Sequence, residues 1–122
     1  MDIIDSAFQK AEEALKVAKL NFDNGYYSAS INRSYYAVFY AAKALLLKKG
    51  INTKKHSGTI VQFGLEYVLN DNFDKEVSKI LSRLEDDRGN ADYDFDFQPT
   101  EEKAGKDLNN ARFFVEECKK FL

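Results

Sequence analysis

Apolar residues recur at intervals of three and four along most of this chain. In the first stretch Ile4, Phe8, Ala11, Leu15, Ala18 and Phe22 fall on one stripe. That spacing predicts a helix over about residues 2–22 with one buried face. Asp23-Asn24-Gly25 ends it, with Gly25 suited to a left-handed cap. A second helix is predicted over about 28–48, capped by Ser28 or Ser30. Its stripe is Ile31, Tyr35, Val38, Ala42 and Leu45, and Tyr36, Phe39, Ala41 and Leu46 add apolar groups on its other faces. A helix apolar nearly all round is expected at the centre of a fold. Lys48 and Lys49 complement its C-terminal dipole and Gly50 closes it.

Three further helices follow. One is predicted over about 57–69, with Ser57 as N-cap and Val61, Leu65 and Val68 as its stripe, before the turn signal Asn70-Asp71-Asn72. Another runs from about Asp74 to Asp87, with Phe73, Val77, Ile80 and Leu84 spaced 4, 3, 4. The last runs from about Glu101 to Leu122. Pro99 stops any helix from upstream, Thr100 caps, and Ala104, Leu108, Ala111, Val115, Cys118 and Leu122 form the stripe. Between the last two lies an irregular segment of about residues 88–99, RGNADYDFDFQP. Loops of that length without their own structure are often functional. The expectation is an all-α fold, an up-down antiparallel helical bundle of four to five helices, forming one domain over 1–122.

Composition narrows the function classes. The chain has 44% hydrophobic and 31% charged residues, ordinary for a folded protein, and a formal net charge of −2. Nucleic-acid binding therefore needs a local basic patch rather than an overall charge. Cys118 is the one cysteine, so no intramolecular disulfide and no multi-cysteine zinc site can form. The N-terminus lacks a signal-peptide pattern and no stretch approaches the length of a membrane span, so a cytoplasmic protein without membrane contact is expected. Phosphate-loop, dinucleotide-binding, zinc-protease and nucleophile-elbow motifs are absent, and no cofactor is expected.

Three constellations could carry chemistry. Arg33 lies inside an otherwise apolar helix, followed by Tyr35, Tyr36 and Tyr40. A guanidinium there either meets a phosphate or carboxylate in a cleft or pairs with an acid of the fold, such as one in the 86–96 segment. Lys43, Lys48, Lys49, Lys54, Lys55 and His56 form a basic run with no acid among them, either a phosphate-attracting patch or a solvated helix end. His56 is the single histidine, and catalysis by it would require a partner in space. The third is Asp86-Asp87-Arg88-Gly89-Asn90-Ala91-Asp92-Tyr93-Asp94-Phe95-Asp96, an acidic stretch around one arginine. It lacks the calcium-loop pattern, and no metal site is expected.

Two of these segments together resemble the HEPN family: Arg33-Ser34-Tyr35-Tyr36-Ala37-Val38-Phe39 with its flanks through Lys55-His56-Ser57-Gly58, and Arg88-Gly89-Asn90-Ala91-Asp92-Tyr93-Asp94. The resemblance covers nearly the whole chain. It implies a helical bundle that forms homodimers. It also implies a toxin–antitoxin type pairing with a minimal nucleotidyltransferase and, in active members, a metal-independent ribonuclease with an Arg-x4-6-His motif. Here the position five residues after Arg88 is Tyr93, not histidine, and a phenol with a reference pKa of about 10 is a poor base near neutral pH. The reading that follows is a nucleotide- or RNA-binding module. Arg33 and Arg88 would contact phosphate, Tyr36 and Tyr93 would stack or hydrogen-bond, and Asp92 would orient an arginine. Two alternatives stand beside it: a toxin ribonuclease acting through Arg88 and His56, and a dimerisation module with no ligand.

Overall fold

The computed structural model describes residues 2–122, and all its regular elements there are helical. They are α1 (Ile3–Asp23), α2 (Tyr27–Lys48), α3 (His56–Phe63) continued by a π-helical segment (Gly64–Leu69), α4 (Lys75–Tyr93) and α5 (Glu101–Lys119). Local chemistry sets most ends. Asp2 accepts from the Asp5 amide, Asp74 from the Glu76 and Val77 amides, and Thr100 from the Lys103 amide. Gly25 and Gly50 close α1 and α2 at φ of 80° and 76°, a conformation that costs a glycine little.

Helix α2 lies at the centre, as its all-round apolar pattern predicts. Ile31, Tyr35, Val38, Ala42 and Leu45 are buried, and so are Ala37, Ala41 and Ala44 on other faces. The long helices alternate in direction. Lys119 approaches Glu12, Asn32 bonds Asp92, Lys103 pairs with Asp87, and Lys48 reaches the Phe121 carbonyl, which fixes an up-down order for α1, α2, α4 and α5. Helix α5 approaches α1 closely at Gly105, where an added Cβ would meet the Phe22 ring at 3.3 Å.

The loop after α2 turns back along that helix. Lys43 pins it by donating to Asn52 Oδ1 (3.0 Å) and to the Thr53 carbonyl (2.5 Å). Helix α3 therefore starts beside Tyr35 and Phe39, in the middle of α2, rather than at its end.

Several sequence expectations are corrected. Neither Ser28 nor Ser30 caps α2: Ser30 is buried, and its hydroxyl donates to the Ala18 carbonyl at 2.9 Å. Ser57 lies inside α3, which begins at His56. Of the stripe Val61, Leu65 and Val68, only Val68 packs against the core, half-buried. Val61 and Leu65 are exposed, and Thr59, Phe63 and Tyr67 are buried instead. The aromatic residues win because Phe63 and Tyr67 stack at 5.5 Å and join Phe73, Phe114 and Phe121 in one cluster. The π-helical segment, with its wider turn, rotates Tyr67 into that cluster, where its hydroxyl donates to the Leu45 carbonyl. Phe114 joins the predicted stripe of α5 in the core, Phe121 packs half-buried just beyond the helix, and Leu122 is exposed. Helix α4 continues six residues beyond Asp87, so the segment read as irregular is helical through Tyr93.

Cys118 is fully buried among apolar neighbours, and burial pushes its thiol far up. Asp107, 1% exposed on α5, faces Asp87 of α4 and Lys103 of its own helix. Burial, then the neighbouring Asp87, pushes its carboxyl up to about 7, while Lys103 pulls the other way.

Two stability predictions follow from this core. Phe63→Ala is expected to lose about 3–5 kcal/mol in urea unfolding, while Val61→Ala stays within about 0.5 kcal/mol. Equal losses would restore the aliphatic stripe as the buried one. For Asp107, the folded-state pKa lies above the unfolded one, so the native state holds the extra proton. Its contribution is complete at low pH and is lost as pH rises from about 4 to about 7. Asp107→Asn is expected to remove that loss, so the variant gains up to a few kcal/mol on the wild type across this window. A stability difference independent of pH would refute it.

Candidate functional site between α2, α3 and α4

The last two turns of α4 carry Glu85, Arg88 and Asp92 at spacings of three and four, so one face presents acid, base and acid in line. That face meets the Asn32–Phe39 stretch of α2 and the first residue of α3. Arg88 is the hub. Its Nη2 donates to Glu85 Oε1 at 2.7 Å, its Nη1 lies 3.8 Å from Asp92 Oδ2, and its side chain is only 11% exposed. The guanidinium sits over the Tyr35 ring at 5.2 Å and near the Tyr93 ring at 5.9 Å. Burial opposes its charge, and the Glu85 carboxylate with the Tyr36 hydroxyl more than offsets this, so Arg88 is held above its ordinary pKa.

His56 completes the cluster. Its Nδ1 lies 2.6 Å from the Tyr35 hydroxyl and 3.6 Å from Glu85 Oε2, and its ring stacks on Phe39 at 4.3 Å. Burial and the adjacent Glu85 push the Tyr35 phenol far up, so it remains protonated. Arg88 Nε and Glu85 Oε2 are buried without a hydrogen-bond partner among the described residues.

Arg33 stands at the edge of the same site, under different conditions. Its Nε donates to Asn32 Oδ1 at 2.9 Å, and Asn32 donates to Asp92 Oδ2 at 2.9 Å. The guanidinium stacks over Tyr36 at 4.7 Å. Among the described residues no carboxylate lies within ion-pair distance of it, so Arg33 does not pair with the 86–96 segment directly; Asn32 stands between them.

The structure thus brings Arg33, Tyr36, His56, Arg88, Asp92 and Tyr93 into one connected side-chain cluster, and the depression that Arg33 lines opens between α1 and α2. Asp92 approaches Arg88 but bonds Asn32, and Tyr93 is 74% exposed at the rim. Sequence reasoning missed Asn32, Tyr35 and Glu85. Glu85 stands three residues before Arg88, a spacing that could have flagged it, whereas Tyr35 reads as a core position. The basic run does not act as one patch. Lys43, Lys48 and Lys49 bond backbone carbonyls, Lys49 also pairs with Asp71, and Lys54 and Lys55 are exposed. No group of three metal-ligating side chains occurs among the described residues, and none of their helices is long and apolar enough to cross a membrane.

The site is a nearly buried guanidinium–carboxylate pair with an imidazole beside it, set in an up-down helical bundle. The chain belongs to the HEPN family, whose domain profile matches residues 4–121. It is 42% identical over 120 residues to the chain named "Putative toxin MJ0605" of Methanocaldococcus jannaschii, covering 98% of this chain and 88% of that one. It is 34% identical over 120 residues to a UPF0332 protein of Thermotoga maritima, covering 98% and 91%. The crystal structure of TT1696 from Thermus thermophilus superposes with a TM-score of 0.83 over the whole of both chains at 19% identity, which shows a shared fold.

Removing Glu85 leaves Arg88 nearly buried without its main counter-charge. Glu85→Ala is expected to destabilise the chain by about 2–4 kcal/mol, against less than about 0.5 kcal/mol for Glu76→Ala, whose pair with Lys79 is exposed. Similar small losses in both melts would show that Arg88 needs no partner.

Proposed function

We propose that this chain is the toxin-type half of a pair with a nucleotidyltransferase chain, acting as a homodimer, and that its cleft binds RNA. The relatives named as toxins and the family membership support the toxin-type reading, and the pairing and the homodimer are what the family resemblance implies. The observation that carries the second is Arg33. Its guanidinium is held in place by Tyr36 and Asn32 yet keeps its charge free of carboxylates, which is the state a phosphate-binding arginine requires. Arg88 is committed to Glu85, with Asp92 nearby, so its charge is compensated and its part is to hold the walls of the site in place. Tyr36, and Tyr93 at the rim, offer faces on which bases stack.

A second reading, cleavage of the bound RNA, is favoured by the setting of His56. With the proton on Nδ1, the imidazole donates to the Tyr35 oxygen with Glu85 Oε2 behind it, and Nε2 is left to accept a proton from a ribose 2′-hydroxyl. This supplies the base that the position five residues after Arg88 lacks.

The test is RNA binding and turnover by the purified chain in metal-free buffer, with light scattering on the same sample expected to report a dimer. Arg33→Ala is expected to weaken RNA binding at least tenfold, a loss of about 1.4 kcal/mol. His56→Ala is expected to leave binding and abolish any cleavage. Wild-type affinity in Arg33→Ala would remove the cleft from RNA binding, and cleavage surviving in His56→Ala would end the second reading.

A further inference from the structure

A second stripe on α2 is only half covered by the bundle. Arg33, Tyr36, Tyr40, Lys43 and Leu47 follow one another at spacings of 3, 4, 3 and 4, and every one is half-buried. They stand along the groove between α1 and α2. One depression there is lined by Arg33, Tyr40, Lys10 and Glu13, and the next by Tyr40, Lys10, Lys43, Phe39 and Leu47, so Lys10 and Tyr40 join the two into one channel. Phe39 and Tyr40 are its aromatic lining, among the aliphatic Ala7, Ala14, Val17 and Leu47, and two cations lie over rings, Lys10 over Tyr40 at 5.8 Å and Arg33 over the neighbouring Tyr36 at 4.7 Å.

The three cations share a property. Arg33 and Lys43 donate only to neutral oxygens, and no carboxylate lies within ion-pair distance of Lys10, Arg33 or Lys43 among the described residues. Glu13 is the one acid lining the channel, and it pairs with none of them. A partly aromatic lining edged with uncompensated cations suits a strand whose bases are free to stack and whose phosphates seek positive charge. A duplex hides its bases and does not fit.

We propose that this channel is a single-stranded RNA track that leads out of the cleft, with a base on Tyr40 and phosphates on Lys10 and Lys43. The proposal rests on the RNA-binding reading above and sharpens it. Arg33 and Lys43 are ten residues apart on one helix, about 15 Å. That is room for about four stacked nucleotides at ~3.4 Å each. The ligand is then an oligonucleotide strand rather than a mononucleotide.

The test is fluorescence anisotropy with labelled uridine oligomers of about two and about eight residues, over a series of salt concentrations. The proteins are the wild type, Arg33→Ala, Lys10→Gln, Lys43→Gln and Tyr40→Leu, with light scattering on each. Lys10→Gln and Lys43→Gln are each expected to lower affinity for the longer oligomer about fivefold at 0.1 M salt and to reduce the salt slope by about 0.7. Tyr40→Leu is expected to cost at least about fivefold through lost stacking. Binding of the shorter oligomer should fall only in Arg33→Ala. If Arg33→Ala weakens the longer oligomer and the other three do not, the track is wrong and the cleft reading stands. If the wild type binds neither oligomer, both fall. A changed oligomeric state with unchanged RNA affinity in the lysine variants would make the channel a protein interface and overturn the proposal. Should Tyr40→Leu fail to fold, Lys10→Gln decides the matter, because Lys10 is exposed whereas Lys43 also holds the loop before α3.

Discussion

Helix α2 has too much apolar surface to lie on the outside of anything, and the rest of the molecule is organised by the need to cover it. Helix α1 covers one flank, α4 and α5 two others, and α3 with its π-helical extension the last. Burying that much apolar side chain is the main favourable term in folding. It also constrains what else happens along α2, because polar groups there are cut off from water: the Ser34 hydroxyl is left without a partner among the described residues, and others find one within the surrounding helices. Ser30 does so through the Ala18 carbonyl, and the Tyr35 hydroxyl through His56.

The cleft arises from the same rule. Past the buried Leu81 and Leu84, the last turns of α4 meet α2 through Arg88 rather than an aliphatic side chain, and a nearly buried guanidinium demands a counter-charge. Glu85 meets that demand for Arg88, and Asp92 is taken up by Asn32. What remains over after these pairings is Arg33, with its charge, and His56, with one ring nitrogen engaged. Structural need and candidate chemistry are separated here by one helical turn.

The long helices and the central place of α2 could be read from spacing, because they depend on residues close together in sequence. Other features depend on tertiary packing. The aliphatic spacing of Val61, Leu65 and Val68 was as regular as that of Phe63 and Tyr67, and only the aromatic cluster with Phe73, Phe114 and Phe121 decides between them. The reach of α4 to Tyr93 was hidden because Gly89, Asn90 and the aspartates favour turns in isolation, while in the fold Arg88 ties that stretch to Glu85 and Tyr35. The meeting of His56 with Tyr35 depends on the loop that doubles back after α2, held by Lys43. No local pattern encodes that path.

Cys118 has a practical consequence. It is the one thiol in the chain, and it lies closed inside the core in its neutral form. Thiol-directed dyes and spin labels, which react through the thiolate, therefore find nothing to modify on the native surface. A cysteine placed anywhere on that surface would be the single reactive position, and the natural residue need not be removed first. The molecule comes with its background already silent, ready for a reporter at whichever point of its exterior is to be watched.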